Sequence, residues 1–151
     1  MTITIASIYE DVFAAIRALL IANKPSYTYK ETEFEYDIVA EYNRKNPTFP
    51  VIVLNKAMIN ITLINLDRSG EGYDIEVQMD LFAKELHGKS AIDQSLSQLM
   101  NTFINNFASL ESDNSLIPNT EDFWEASNNP TFEDSNQVLN TVSAIVRFKL
   151  K

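Results

Sequence analysis

The chain has 151 residues, of which 45% are hydrophobic and 22% are charged, a composition typical of one globular domain with room for a core. It contains no cysteine, so disulfides, thiolate metal sites and a cysteine nucleophile are excluded. The formal net charge is -9, which disfavours tight binding to nucleic acid because an acidic surface repels phosphate.

The charge is unevenly distributed along the chain. The segment from Ser90 to Val146 contains acidic residues but no Lys or Arg, and the last five residues contain three bases. Near the N-terminus, Met1–Thr4 contain no basic residue ahead of an apolar stretch, so we expect no signal peptide. The longest apolar run, Val12–Ala22, is interrupted by Arg17 and is too short to span a bilayer.

The first predicted element is a helix over Ile8–Ala22. Ser7 and Glu10 have the spacing of a capping box, in which the two side chains satisfy free amides at the helix start. Asn23-Lys24-Pro25 should end the helix. Its predicted buried face consists of Ile8, Val12, Phe13, Ile16, Leu19 and Leu20.

The next segments are extended. Tyr27–Tyr36 is rich in aromatic residues, threonine and glutamate, which indicates an extended segment, either an exposed strand or an edge strand. Ile38–Tyr42 is ambiguous, residues 43–47 form a predicted loop, and Val51–Leu54 is a short strand. Residues 57–83 alternate around the turn Asp67–Gly72, so we predict an antiparallel hairpin there.

The second predicted helix begins after the hairpin, with Ser90 as its N-cap. Its apolar stripe consists of Ile92, Leu96, Leu99, Met100, Phe103, Phe107 and Leu110. Glu111–Asn136 is predicted to be a long acidic loop or hairpin, in which Asp122–Ser127 could form a strand, and Val138–Leu150 alternates as the last strand. The expected fold is one α+β domain over residues 1–151, with a two-layer arrangement in which two amphipathic helices pack on a mostly antiparallel mixed sheet.

No catalytic motif is present in the sequence. His87, the single histidine, lies between a strand and a helix without a Gly-x-Ser-x-Gly motif, so we interpret it as a solvated turn residue. The adjacent Glu121 and Asp122 are typical of a solvated surface, and the acidic segment lacks the glycine and final glutamate of a calcium-binding EF-hand loop. We therefore predict no catalytic, cofactor-binding or metal-binding residues.

Aromatic residues are concentrated in one segment, where they alternate with acids. Nucleic-acid stacking platforms combine aromatic residues with basic ones, so this pattern favours sheet packing or a protein interface. Trp124, within the acidic segment, is open to the same two interpretations, as a core anchor or an interface anchor. The aromatic residues concerned are Tyr27, Tyr29, Phe34 and Tyr36.

The order of these elements resembles the tail terminator (tail completion) proteins of long-tailed bacteriophages and the related neck proteins. The features that carry the resemblance are the opening helix Ile8–Ala22, Phe49-Pro50-Val51 before a strand, the hairpin around Asp67–Gly72, the helix Ser90–Ala108 and the closing strand Val138–Leu150.

The resemblance implies a non-enzymatic structural subunit that forms a ring, expected to be a homohexamer, at the head-proximal end of the tail. The ring would stop polymerisation of the tail tube and offer a surface for head attachment. Its expected partners are further copies of the chain, the tail tube protein and a neck or head-completion protein. DNA would pass through without specific binding, no membrane would be involved, and the protein would be made in the host cytoplasm and located in the virion.

The distribution of acidic and basic residues indicates which residues could lie at a channel or subunit interface. Acids around a ring axis would repel phosphate, and bases on adjacent subunits would offset the repulsion between neighbouring acids. The candidate channel or interface acids are Glu111, Asp113, Glu121, Asp122, Glu125, Glu133 and Asp134, and the candidate bases are Arg44, Lys45, Arg147 and Lys149. Two alternatives stay open: another tail structural subunit from the tube or baseplate, or a small-molecule-binding or enzymatic α+β domain.

Overall fold

A computed structural model describes residues 3–42, 48–63, 72–128, 132–134 and 137–150. The α-helices in these ranges are α1 (Ile8–Ala22), α2 (Lys89–Asn105) and α3 (Phe107–Asn114). Short 3-10 helices lie at Ile5–Ser7, Lys56–Met58 and Glu85–His87. The strands are β1 (Ser26–Tyr29), β2 (Thr32–Glu35), β3 (Asp37–Val39), β4 (Val51–Val53), β5 (Ile59–Leu63), β6 (Tyr73–Lys84), β7 (Leu116–Pro118), β8 (Trp124–Asn128), β9 (Phe132–Asp134) and β10 (Gln137–Leu150).

The two long strands β6 and β10 form the centre of the main sheet. They pair antiparallel in one unbroken register, from Leu139 opposite Lys84 to Leu150 opposite Tyr73. The other edge of β6 pairs antiparallel with β4 and β5, and the other edge of β10 with β7, β8 and β9. Only β3 and β4 run parallel among the described strands. The predicted α+β fold with a mixed, mostly antiparallel sheet is confirmed.

Alternation along the central strands places one face of the sheet in the core. Every second residue of β6 from Ile75 to Ala83 is fully buried, as the sequence pattern predicted. The matching residues of β10, from Val142 to Phe148, are buried beside them. These residues belong to one hydrophobic cluster with the buried residues of the helices, chiefly Val12, Ile16, Leu20, Ile92, Leu99, Phe103 and Leu110.

The bounds of α1 are those predicted, but its first turn is held differently. The Ser7 hydroxyl makes no capping bond to a helix amide and instead donates to Asp11 Oδ2 at 2.9 Å. The Thr4 amide and hydroxyl donate to the same oxygen at 2.9 and 3.0 Å. Because residues 5–7 already form a 3-10 turn, Ser7 does not adopt the extended backbone that a capping serine needs. These bonds stabilise the Asp11 carboxylate and lower its pKa.

The second predicted helix is divided into two. α2 begins at Lys89 after Gly88, whose φ of +83° supplies the turn, so Ser90 lies inside the helix and is not its N-cap. At Asn106 the helix ends, and the Asn106 side-chain amide donates to the Thr102 carbonyl at 2.7 Å. α3 then follows, so the described chain has three α-helices where the sequence predicted two.

Much of the segment 111–136, predicted to be a long acidic loop or hairpin, has regular structure: α3 runs to Asn114, and three strands follow it. The predicted strand at Asp122–Ser127 is observed as β8, which pairs with residues 142–146 of β10, and β7 and β9 flank it on the same edge. The hairpin predicted over residues 57–83 is observed as β5 paired with β6. Of its predicted turn Asp67–Gly72, all but Gly72 lie outside the described residues, as does the loop predicted at 43–47.

The segment Tyr27–Tyr36 forms a hairpin of its own. β1 and β2 pair with each other in a two-stranded sheet that is separate from the main one. The two residues between them, Lys30 and Glu31, both have positive φ, at 47° and 66°. This is the backbone of the tight turn that joins adjacent antiparallel strands, although glycine, its usual residue, is missing.

We expect Phe103→Ala to lower the free energy of unfolding by about 3–5 kcal/mol, because it removes a fully buried ring from the centre of the core. Chemical denaturation of the intact chain measures this. Ile104→Ala, at the next position and 45% exposed, is the matched control, with an expected change of less than about 1 kcal/mol. Equal midpoints for the two variants would show that α2 does not pack through Phe103.

Candidate functional site

The candidate site lies on the polar face of the central strands, opposite the core. Here the side chains alternate with the buried ones and include Asp74, Glu76 and Asp80 on β6. Ser143 of β10 donates to Asp80 at 2.7 Å, across the strand pair. The face therefore carries charged side chains that the sheet register places side by side.

Arg147 on β10 is the centre of a charged cluster on this face. Its Nη2 donates to Glu125 Oε2 at 2.6 Å and its Nη1 to Asp122 Oδ1 at 3.0 Å, while its Nε lies 3.5 Å from Glu76 Oε1. The arginine side chain is only 17% exposed, whereas the three acids are 36–62% exposed. The hydrogen bond to Glu125 is the largest of the contributions that raise the pKa of Arg147. We call these four residues the Arg147 cluster.

Backbone bonds and a group of rings hold the acidic side of this cluster in place. The Asn119 amide donates to the Arg147 carbonyl at 3.0 Å, and the Arg147 amide donates to the Phe123 carbonyl at 2.9 Å. The Phe123 ring packs edge-on against Phe107 and Phe148, with centroids 4.7 and 5.7 Å apart. The chain that carries Asp122 is therefore fixed between β10 and the helices.

An open cleft of about 430 Å³ lies beside the Arg147 cluster. Its walls come from β5, β6, β10 and the loop before β8, and Asp74 Oδ1 in its wall is buried without a hydrogen-bond partner. The Nε, Nη1 and Nη2 atoms of Arg147 each lie against a carboxylate, so its positive charge is already compensated and would attract an anionic ligand only weakly. The lining residues are Asn60, Thr62, Asp74, Ile75, Glu76, Asn119, Asp122, Arg147 and Phe148.

The structure brings together only part of the predicted interface set. Asp122 and Glu125 meet Arg147 within the same chain, so this base is not the free partner for an adjacent subunit that the sequence suggested. Sequence reasoning missed Glu76, because its position beside Arg147 follows from the β6–β10 register, and no local pattern encodes that register.

The remaining predicted residues are dispersed. Glu111, Asp113 and Glu121 are exposed, and Lys149 is exposed on β10 opposite Asp74. Glu133 and Asp134 belong to β9, of which the backbone alone is described. Arg44 and Lys45 lie outside the described residues.

His87 is buried, so its interpretation as a solvated turn residue was wrong. It is 9% exposed, and its Nδ1 lies 2.5 Å from the Tyr27 hydroxyl. Its ring packs on Tyr29 and Phe34, with centroids 4.6 and 4.5 Å apart. The correction has a physical cause: the β1–β2 hairpin folds back over the turn, a long-range contact that the local sequence does not encode.

The aromatic segment is used for packing inside the chain. Burial raises the pKa of the Tyr27 hydroxyl to about 12 and also raises that of Tyr36, so both phenols stay protonated at neutral pH. Tyr27 stacks on Phe34 at 5.5 Å. Of the two interpretations that the sequence left open for these rings, packing describes Tyr27 and Tyr36, which are both buried.

The described residues contain neither a metal-binding group of side chains nor a membrane-spanning helix. No group of three or more His, Cys, Asp or Glu residues in these ranges has the arrangement needed to hold a metal ion. No helix among them is long and apolar enough to cross a membrane.

Comparison with known proteins does not assign the chain to a family: no family model matches it, and no curated protein is significantly similar to it.

We expect Arg147→Met to destabilise the protein by about 1–2 kcal/mol, because three carboxylates lose their shared cation. Chemical denaturation at low and high salt measures this, and high salt should shrink the difference because it screens the exposed acids. Lys56→Met, which breaks one exposed ion pair with Glu10, is the control and should change stability by less than about 0.5 kcal/mol. If both variants behaved alike, the Arg147 cluster would have no special role in stability.

His87 should make stability depend on pH near neutrality. Burial, aided by Lys84, lowers its pKa in the folded protein, whereas the unfolded chain takes up the proton near the ordinary value of 6.5. The stability that neutral His87 contributes to the fold is therefore complete above pH 6.5. It is lost as the pH falls from 6.5 toward the lower pKa of His87 in the folded protein.

Unfolding midpoints measured between pH 7.5 and 5.5 should fall more in the native chain than in His87→Phe, which keeps a flat ring but cannot be protonated. His87 is the only histidine, so no other imidazole contributes to the difference. Parallel pH profiles for the two proteins would contradict this assignment.

Proposed function

We propose that the chain is a structural virion protein, a tail terminator or completion subunit that assembles as a ring, caps the tail tube and joins it to the neck. The observation that carries the proposal is an acidic surface on a segment whose backbone is held in place. Every acid of α3 and of the segment from α3 to β8 is exposed, and backbone hydrogen bonds to β10 and the Phe123 ring hold that segment in place.

This arrangement suits a channel or a subunit boundary. Copies placed around an axis would surround a passage with carboxylates, and carboxylates repel the phosphates of passing DNA, so the DNA would slide without being held. The same copies would repel one another, and this cost must be offset by distance, by solvent or by bases.

The Arg147 cluster limits where those bases can come from. Because the guanidinium is engaged by three acids of its own chain, the offsetting charge has to come from other bases, such as Lys149, or from partner proteins. The proposed partners are therefore further copies of the chain, expected to form a hexamer, together with the tail tube protein and a neck or head-completion protein.

One observation favours the alternative of a small-molecule-binding domain. The cleft beside the Arg147 cluster is polar and of a volume that would admit a small ligand. Turnover or saturable binding of a metabolite by the purified chain, abolished by Asp74→Asn, would favour that alternative over the ring.

The ring proposal is tested first by the mass of the purified chain, alone and with tail tubes, using light scattering and negative-stain imaging. A terminator should give one closed ring of fixed mass or cap tube ends, whereas a tube subunit would give open stacks of many lengths. Open stacks, or no association with tubes, would contradict the proposal.

The second test is genetic, in a phage that encodes the chain. Its removal should give overlong tails or tails that fail to join heads, and normal tails on filled heads would end the proposal. A complementing copy with Glu111→Gln, Asp113→Asn and Glu121→Gln should restore fewer joined particles, since it loses exposed acids without touching the Arg147 cluster. The matched control neutralises Glu41, Glu85 and Asp93, which are exposed elsewhere, and should restore joining fully.

A further inference from the structure

The β1–β2 hairpin has one covered edge and one open edge. On the β1 side, the Ser26 amide donates to Gln98 Oε1 at 2.9 Å and the Thr28 amide donates to Gln94 Oε1 at 3.4 Å. The two glutamines lie one turn apart on α2. They occupy the positions that a neighbouring strand would otherwise take, so β1 is closed to a further strand.

These bonds also fix which groups point outward on β2. The amides of Ser26 and Thr28 point away from β2, so the pairs Ser26–Glu35 and Thr28–Glu33 are the non-hydrogen-bonded pairs of the hairpin. The backbone N–H and C=O groups of Glu33 and Glu35 therefore point away from β1, toward the free side of β2. In the part of the chain that the structure describes, no residue donates to them or accepts from them.

The hairpin is held by packing on one face. Phe34 on β2 stacks on Tyr27 at 5.5 Å and lies tilted against the His87 ring at 4.5 Å. Tyr27 is fully buried and is linked to His87 through its hydroxyl. Because the hairpin is fixed by these contacts, an incoming strand would find the edge already formed and would lose less entropy on binding.

The negative charge along β2 favours a basic partner strand. The exposed side chains along β2 include Glu33 and Glu35, and Glu31 lies in the adjacent turn. Among the described residues, these glutamates make one ion pair, in which Glu35 lies 3.9 Å from Lys24. The Glu35 side chain is 63% exposed, so the pair contributes little to stability and a cation of a partner could replace Lys24. A second copy of β2 would place glutamates against glutamates, and like charges on paired strands are destabilising.

We propose that the β2 edge is a docking site for an extended, basic segment of a partner protein, which adds as a third strand to the β1–β2 hairpin. Main-chain hydrogen bonds to Glu33 and Glu35 would hold the segment, and its lysines or arginines would pair with the two carboxylates. This inference does not rest on ring assembly, and its test uses the isolated chain, so its failure and that of the ring proposal are distinguishable.

The test titrates the ¹⁵N-labelled chain at low salt with the end-blocked peptide Thr-Lys-Val-Lys-Thr and follows amide shifts by NMR. We expect the largest shifts at Glu33 and Glu35. The acidic peptide Thr-Glu-Val-Glu-Thr should not bind, nor should a basic peptide whose backbone amides are methylated, since it cannot form the strand hydrogen bonds. No shift at millimolar peptide, equal binding of either control peptide, or largest shifts outside the hairpin would overturn the proposal.

Variants separate the local charge from the net charge of the chain. Glu33→Gln with Glu35→Gln keeps the strand but should weaken binding of the basic peptide by about threefold to tenfold. Glu111→Gln with Asp113→Asn removes the same number of charges on α3 and should leave the affinity unchanged. An equal loss in both double variants would mean that the peptide responds to net charge only and would also overturn the proposal.

Discussion

The fold depends on the pairing of β6 with β10. These two strands are the longest in the sheet, they pair without interruption, and the shorter strands attach to their outer edges. Their alternation supplies one apolar face for the helices and one polar face for the Arg147 cluster and the cleft. Because these strands are distant in sequence, one long-range pairing forms both the apolar face and the polar face of the sheet.

Sequence patterns predicted the elements whose burial follows a simple period. The strands β6 and β10 and the bounds of α1 are examples, since their apolar residues recur at intervals set by backbone geometry alone. The break at Asn106 was missed because apolar residues at helical spacing continue across it, from Phe103 to Phe107 and Leu110. The capping of α1 was missed because Ser7 and Glu10 match a local motif, while a 3-10 turn ahead of them diverts the serine to Asp11.

The candidate sites were harder to predict than the fold. Asp122 and Glu125 stood out by charge, yet their partner in the structure is a base of the same chain, held beside them by strand pairing. The environment of His87 depends on a hairpin some 60 residues earlier, so its isolation in the sequence gave no sign of its burial. The open edge of β2 follows from which amides the glutamines of α2 cover, and sequence alone cannot supply that information.

The position of Arg147 affects which register the strands β6 and β10 can adopt. Neighbouring residues on β10 face opposite sides, so a shift of β10 by one position would turn the guanidinium into the apolar core and expose the Phe148 ring. Burying an unpaired guanidinium is far more costly than losing a few contacts between apolar side chains. The arginine therefore penalises misaligned strands as well as stabilising the aligned pair, and an apolar residue at this position could pack in either alignment.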